Sequence, residues 1–319
     1  MAHSIGVDLG GTKILAGLVD EDGTIVRTAR RPTPRADADH VLAVIAESIA
    51  ELTESGDEQV VGVGVGVAGL VDNDFSQVFF APNLRWHQVP ARAVLESATG
   101  LPVIVENDGN IAAWGEYRFG AGRGLRDIVV VTVGTGIGGG IISEGRLFRG
   151  GHGAAGEIGH INAVPDGRPC GCGRGGCLEQ YASGSALVRE ARALAAERRS
   201  EAELLLALGD GTPEGVQGVH VTQAARAGDP VAIEAFTIIG TWLGRGMADL
   251  AAVLDPQAFV IGGGVSDAGD LLITTAQQTL TDKLIGRSNR PAPQIRIAEL
   301  TNNAGLVGAA DLVRTRLSG

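Results

Sequence analysis

Short apolar runs, each closed by glycine or by acidic residues, set the pattern along this chain. Residues 4–9, SIGVDL, read as a buried strand that enters Gly10-Gly11-Thr12, and a second apolar run over 14–19 follows at once. Asp20-Glu21-Asp22-Gly23 then turns the chain, and the β-branched stretch 24–28 continues as a third strand. The same order recurs from Ile128: IVVVTV enters the glycine-rich segment 134–140, Ile141-Ile142 follow, and Ser143-Glu144-Gly145 makes a turn. Two copies of a strand, glycine loop and strand predict two related α/β domains, each offering a backbone loop to a shared cleft.

Between the copies, Val41, Leu42, Ile45, Ile49 and Leu52 recur at helical spacing within 37–54, with acidic residues on the other face. Val60–Val67 alternates Val with Gly62, Gly64 and Gly66, the mark of a strand closely approached by another backbone or a helix. A short strand over 101–105 delivers Glu106-Asn107-Asp108-Gly109-Asn110 to a sheet's edge, where open α/β sheets place their ligands. Downstream, Asp229-Pro230 opens a long helical pattern that reaches Leu254, with Pro256 just beyond it. A strand over 258–261 then runs into Gly262-Gly263-Gly264, and Asn303 can cap a terminal helix over 304–317 that returns to the first domain. The expected division is a small α/β domain, 1–109, joined by the C-terminal helix 303–319, and a large α/β domain, 110–302.

Composition narrows the class. A chain of 319 residues exceeds the usual single core, and with 44% hydrophobic but only 4% aromatic residues its cores must be aliphatic. A formal charge of -11 disfavours nucleic acid and anionic membrane surfaces as partners. No stretch approaches the roughly 20 apolar residues of a membrane helix, and the start lacks a basic segment followed by an apolar core, so the expected location is the cytoplasm.

Phosphate oxygens need convergent donors at close range, and glycine lets backbone N–H groups approach. Asp8, Gly10, Gly11, Thr12 and Lys13 suit that task, the aspartate holding magnesium and the loop facing phosphates. Gly134, Thr135, Gly136 and Gly138 form a second such loop. It matches the dinucleotide pattern literally at Gly134, Gly136 and Gly139, but a strand rather than a helix follows, so that reading fails. The chain's 3 cysteines, Cys170, Cys172 and Cys177, lie on one glycine-rich loop, and His160 completes a Cys3His set suited to structural zinc. If one ring nitrogen of His160 holds zinc, the other can bond a ligand.

Moving a phosphoryl group onto a hydroxyl needs a nearby carboxylate to accept the proton, and Asp108, at a strand-to-helix junction, is the candidate. By position alone, Asp108 or Asn107 can equally be the helix N-cap. Asn107, Glu157, His160 and Glu179 are planar polar groups beside the candidate base or the cysteine loop, of the kind that bind sugar hydroxyls.

In order and spacing, Asp8-Leu-Gly-Gly-Thr-Lys13, Glu106-Asn-Asp-Gly-Asn110, Gly134-Thr-Gly-Ile-Gly-Gly-Gly140, Gly156-Glu-Ile-Gly-His160 and Cys170-Gly-Cys-Gly-Arg-Gly-Gly-Cys-Leu-Glu179 resemble the ROK family of repressors, open-reading-frame products and kinases, its bacterial glucokinases in particular. The resemblance implies the two-domain actin-like, ribonuclease-H-like sugar kinase fold, with an interdomain active-site cleft. It implies ATP, Mg2+ and structural Zn2+, Asp108 as catalytic base, and sugar contacts from Asn107, Glu157, His160 and Glu179, with Gly69 and Asn83 as further candidates. Gly10 to Lys13, Gly134 to Gly138, and Gly262, Gly263 and Gly264 would surround the nucleotide, and the zinc ligands would be His160, Cys170, Cys172 and Cys177.

The implied reaction is transfer of the γ-phosphoryl of ATP to the 6-hydroxyl of glucose by a homodimer or homotetramer. Rival readings are another hexose (fructose, N-acetylmannosamine), polyphosphate as donor, or a sugar-sensing regulator without turnover. The family's repressors carry a helix-turn-helix before the first phosphate loop, which here begins almost at Met1, and this favours the kinase. Gly109 stands where many relatives carry Ala, a change expected to leave the base undisturbed.

Overall fold

The computed structural model describes residues 2–35, 37–54, 56 and 58–317. In chain order it holds β1 (His3–Leu9), β2 (Lys13–Val19), β3 (Ile25–Pro32), α1 (Ala38–Glu54), β4 (Val60–Val67), β5 (Leu70–Val71), β6 (Val78–Ala81), β7 (Trp86–Val89), α2 (Ala91–Thr99), β8 (Val103–Asn107), α3 (Asp108–Phe119), β9 (Ile128–Val133), β10 (Ile137–Ser143) and β11 (Arg146–Leu147). It continues with α4 (Glu179–Ala182), α5 (Gly184–Glu197), α6 (Glu203–Leu208), α7 (Gly218–Arg226), α8 (Pro230–Leu254), β12 (Ala258–Gly262), α9 (Asp270–Lys283), β13 (Gln294–Ile297) and α10 (Ala304–Leu317). Of the terminal helix expected over 303–319, residues 318 and 319 lie outside the described residues.

The chain forms two compact units: residues 1–130, 139–156 and 298–319, and residues 131–138 and 157–297. The boundary expected after residue 109 falls within α3, inside the first unit.

The first unit is built on a five-stranded sheet of order β3-β2-β1-β4-β8. Its first three strands are antiparallel neighbours joined by tight turns, whereas β1, β4 and β8 run parallel and are linked through α1 and α2. Helix α1 buries Val41, Leu42, Ile45, Ile49 and Leu52, the face that the 3.6-residue spacing predicts. These side chains join Ile5, Val7, Val63, Val65 and Val103 in an aliphatic core, each fully buried side chain contributing about 1.5–3 kcal/mol.

Helix α10 packs on β1, β4 and α3. The glycines of β4 make room for it: a Cβ on Gly64 would stand 2.0 Å from the carbonyl oxygen of Ala309, so only glycine lets the two backbones approach.

Strand β8 starts and ends two residues later than the apolar run suggests. Pro102 has no N–H to give a ladder, and the pairing with β4 runs from Val63↔Val103 to Val67↔Asn107. Asn107 is therefore the last strand residue and sits against the first turn of α3. Strand β3 extends past 28 to Pro32 because its whole length pairs with β2, up to Lys13↔Pro32. The small antiparallel sheet β5-β6-β7 lies between β4 and α2 in the chain.

In the second unit α8 is the central helix, packed by α9, α5, α7 and α4. Asp229 caps it, accepting the Ala232 N–H at 2.9 Å and the Leu205 N–H at 3.0 Å. Pro230 occupies the first turn, where its missing N–H costs nothing. Strand β12 pairs parallel with β13 and delivers Gly262 to a turn in which Gly263 takes a φ of +85°. Among the described residues no helix is long and apolar enough to cross a membrane.

Candidate active site

The first glycine loop is the hairpin between β1 and β2. Gly10 donates its N–H to the carbonyl of Lys13 at 3.0 Å. Thr33, just past β3, fixes the loop from outside: its N–H reaches the Thr12 carbonyl at 3.1 Å and its hydroxyl the Gly10 carbonyl at 2.7 Å. Gly11 and Thr12 stand exposed at the tip. Asn83, in a single turn after β6, neighbours this loop, since a Cβ on Gly11 would lie 3.8 Å from its own Cβ.

Asp8 lies on β1 just before the loop, against the first turn of α10; a Cβ on Gly305 would be 3.5 Å from its carboxyl carbon. Burial and, after it, the charge of Asp108 push the Asp8 pKa up from the ordinary aspartate value, while Lys13 pulls it down. A buried carboxylate whose ionisation is opposed by the charge of a second one, next to a glycine hairpin, is a natural seat for a divalent cation.

The junction of β8 and α3 resolves the choice of helix cap. Asn107 is the cap: its side-chain oxygen accepts the Asn110 N–H at 3.0 Å. Its amide nitrogen donates to the Gly69 carbonyl at 3.1 Å, which leaves the amide's second N–H for a ligand. Asp108 is thereby released from capping and begins the helix, with the Gly109 N–H at 3.0 Å from its carboxylate. Solvent reaches Asp108, yet crowding by surrounding protein atoms pushes its pKa up. Asp108 is thus a carboxylate that water reaches but that neighbouring protein atoms partly desolvate. Position 109 has little room: a Cβ there would meet the Gly139 carbonyl oxygen at 2.4 Å, so β10 would have to shift before an alanine fits.

In the second unit the loop between β9 and β10 confirms strand after strand, with Gly134 N–H bonded to the Gly136 carbonyl at 3.0 Å. The start of α5 holds it in place. Gly184 donates to the Gly134 carbonyl at 2.8 Å, and the Ser185 hydroxyl to the Thr135 carbonyl at 2.7 Å. Thr135 and Gly138 are exposed. Gly136 faces Glu179: a Cβ on the glycine would lie 2.6 Å from the glutamate's Oε2. Gly263 packs beneath β9, where a Cβ would stand 2.5 Å from the Val133 carbonyl oxygen, and Gly264 faces open space.

His160, Cys170, Cys172 and Cys177 converge, their ligand atoms all within 4.8 Å of one another. Two edges of the cluster, Cys170 Sγ to His160 Nδ1 and Cys172 Sγ to Cys177 Sγ, are 3.6 Å. A tetrahedron with metal–ligand bonds near 2.3 Å has edges of about 3.8 Å, so the donor set fits a four-coordinate thiolate and imidazole centre. The loop is pre-shaped by its backbone, Cys170 N–H to the Arg174 carbonyl at 2.8 Å and Gly173 N–H to the Cys170 carbonyl at 3.0 Å. Burial pushes the Cys170 thiol up to about 12; a bound cation reverses that by holding the thiolate. The other nitrogen of His160, Nε2, points to Glu157 at 3.8 Å, and Glu179 accepts the Cys170 thiol at 2.9 Å. Through these contacts the cysteine cluster brings three polar groups, His160, Glu157 and Glu179, together.

Within the first unit, then, Asp8, the loop from Gly10 to Lys13, Gly69, Asn83, Asn107 and Asp108 gather around the ends of β1, β4 and β8. Within the second, the loop from Gly134 to Gly138, Glu157, His160, Glu179, the cysteines and the turn from Gly262 to Gly264 do so around β9, β12 and α4. Thr33, Gly184, Ser185, Arg149 and the carboxylate of Glu106 carry no role in the sequence reading. Only for Glu106 was a signal present, a charged residue directly after the apolar run 103–105.

The ROK family profile matches residues 4–316. The chain belongs to the ROK family. It is 50% identical over 316 residues to a glucokinase of Streptomyces coelicolor, covering 98% of each chain. Among solved structures, a ROK family glucokinase from Streptomyces griseus in complex with glucose and AMPPNP superposes with a TM-score of 0.87 at 50% identity, over 98% of this chain and 99% of that one. A ROK hexokinase from Thermus thermophilus gives 0.81 at 33% identity, over 99% of both. The fold is accordingly the actin-like, ribonuclease-H-like one of ROK sugar kinases, as the sequence motifs imply.

Proposed function

We propose that this ROK protein is an ATP-dependent hexose kinase that transfers the γ-phosphoryl group to the 6-hydroxyl of glucose. The observation that carries the reading is Asp108: freed from capping by Asn107, reached by solvent, raised in pKa, and close enough to Asp8 for their charges to interact. The relatives support the substrate, two of them at 50% identity bearing the name glucokinase.

Asp108 accepts the proton of the attacking hydroxyl as the phosphoryl group arrives, and its raised pKa strengthens it as a base. Asn107 orients the sugar through its remaining N–H. Glu157, His160 and Glu179 take further hydroxyls, with Gly69 and Asn83 as backbone and side-chain candidates. The backbone of 10–13 and 134–138 and the turn 262–264 are assigned to the nucleotide. Asp8 is the residue to hold Mg2+, which when bound neutralises charge on the transferred phosphoryl group. Zinc is the metal proposed for His160, Cys170, Cys172 and Cys177, where it would fix the tautomer and direction of His160. A homodimer or homotetramer in the cytoplasm is the proposed setting.

The test is a coupled assay for ADP release with a panel of hexoses, run with ATP and with polyphosphate as donors. Glucose with ATP is expected to give the highest kcat/KM. Hexose binding without ADP release would replace the kinase by a sensor.

A further inference from the structure

Beneath the Asn107–Asp108 junction lies an ion pair that the reaction scheme does not use. Arg149 Nε meets Glu106 Oε2 at 2.5 Å, with the two side chains only 7% and 1% exposed. An ion pair withdrawn from water this far is a poor way to gain stability, since two apolar side chains of similar volume commonly do as well or better. The pairs on this unit's surface differ: Arg27 and Glu58, for example, are 29% and 27% exposed.

Its hydrogen bonds show what the buried pair holds. Glu106 Oε1 accepts the Asn107 N–H at 2.7 Å and the Asn110 side-chain amide at 3.1 Å, so one carboxylate grips the residues on either side of Asp108. Arg149 carries the clamp onward, donating to the carbonyls of Asp72 at 2.7 Å and Asn73 at 3.1 Å, with its guanidinium 3.7 Å from the centre of the Phe75 ring. The same segment supplies the Gly69 carbonyl that holds the Asn107 amide. Both the main chain and the side chain of Asn107 are thus referred to one piece of structure, residues 69–73, and Asp108 sits between the two points that Glu106 fixes.

We propose that the Arg149–Glu106 pair is a positioning device that sets the orientation of Asn107 and Asp108 toward the hexose. The proposal rests on the kinase reading above. Neither residue touches the sugar or the phosphoryl group; the pair acts through the residues it aligns. Arginine is required for this, because a lysine keeps the charge but lacks the planar fork that reaches a carboxylate and two carbonyls together.

The experiment compares four proteins in the ADP-release assay: the double variant Arg149→Met with Glu106→Gln, which leaves no unpaired buried charge; Arg149→Lys; Asp108→Asn; and the triple combination. Glu58→Gln is the control for loss of an ion pair elsewhere in the unit, expected within twofold of wild type. A positioning role predicts that the double variant and Arg149→Lys each lose at least tenfold in kcat and raise the hexose KM, while the KM for ATP stays within twofold. In the Asp108→Asn background the double variant should cost less than threefold further in kcat, because the group being aligned is no longer a base. A folded double variant within twofold of wild type, or a full tenfold loss added on top of Asp108→Asn, overturns the proposal. Should the double variant fail to fold, Arg149→Lys decides by the same limits. A wild-type protein that releases no ADP with any hexose removes the kinase reading itself, a result distinct from a fully active pair variant.

Discussion

Replacing Asp108 by Asn separates chemistry from folding more cleanly than any other change in this protein. The side chain keeps its shape, Asn107 remains the helix cap, and the new amide oxygen can still accept the Gly109 N–H at 3.0 Å. Folding loses little. Two costs even disappear, the desolvation of the Asp108 carboxylate and its repulsion of Asp8. Both aspartates have pKa values raised in the folded state, so their contribution to stability is fully present below the ordinary value of about 3.9 and is lost as pH rises through the raised values. Asp108→Asn removes one share of that loss, and the variant should therefore melt at or above the wild-type temperature at neutral pH. Catalysis moves the other way. Removing a positioned base costs about 10²–10⁴ in kcat, or about 2.7–5.5 kcal/mol on the barrier. Steady-state ADP release with glucose measures the loss in kcat, and thermal melts from pH 4 to 8 measure the change in stability. A variant that keeps more than a tenth of the wild-type kcat with an intact fold would refute the assignment, and a large drop in melting temperature would make Asp108 a structural residue instead.

Other outcomes follow from the same geometry. Because the base must be ionised and its pKa is raised, kcat/KM for hexose should fall on acidification with a midpoint above the ordinary aspartate value of about 3.9; a midpoint at or below that value would contradict the crowding around Asp108. Stripping metal from the cluster of His160 and the three cysteines with a chelator should free all three thiols to titration and weaken hexose affinity more than ATP affinity, whereas equal losses would break the link from the metal through His160 to the sugar. Gly64→Ala places a methyl 2.0 Å from the Ala309 carbonyl oxygen and should destabilise the first unit by about 1–3 kcal/mol or more in urea unfolding; a change under about 0.5 kcal/mol would mean that α10 can move away from β4 without penalty.

Much of this molecule is local and therefore readable along the chain. The periods of 2 and 3.6 residues locate β1, β2, β4, α1 and α8, because one buried face must repeat at the pitch of its own backbone. The glycine hairpins and the cysteine cluster are legible for a similar reason: the groups that meet in each lie close together in sequence. Strand limits are less legible. Strand β8 runs two residues beyond its apolar run, and β3 continues through Arg30 and Arg31, since pairing with a neighbour, not side-chain character, decides where a ladder ends.

What only the tertiary structure decides concerns groups far apart in the chain or alike in sequence. Asn107 and Asp108 are equal candidates for the helix cap until the 3.0 Å bond from the Asn110 N–H to Asn107 settles it and frees the aspartate. Nothing local relates Glu106 to Arg149, 43 residues apart, or both to the carbonyls of Asp72 and Asn73. Their bonding depends on a charge being carried into a dry interior, where it must find a partner whatever the separation along the chain. The amino-acid order determines which polar side chains stand at the junction of β8 and α3; folding determines which of them caps the helix and which carboxylate is spared from that structural work.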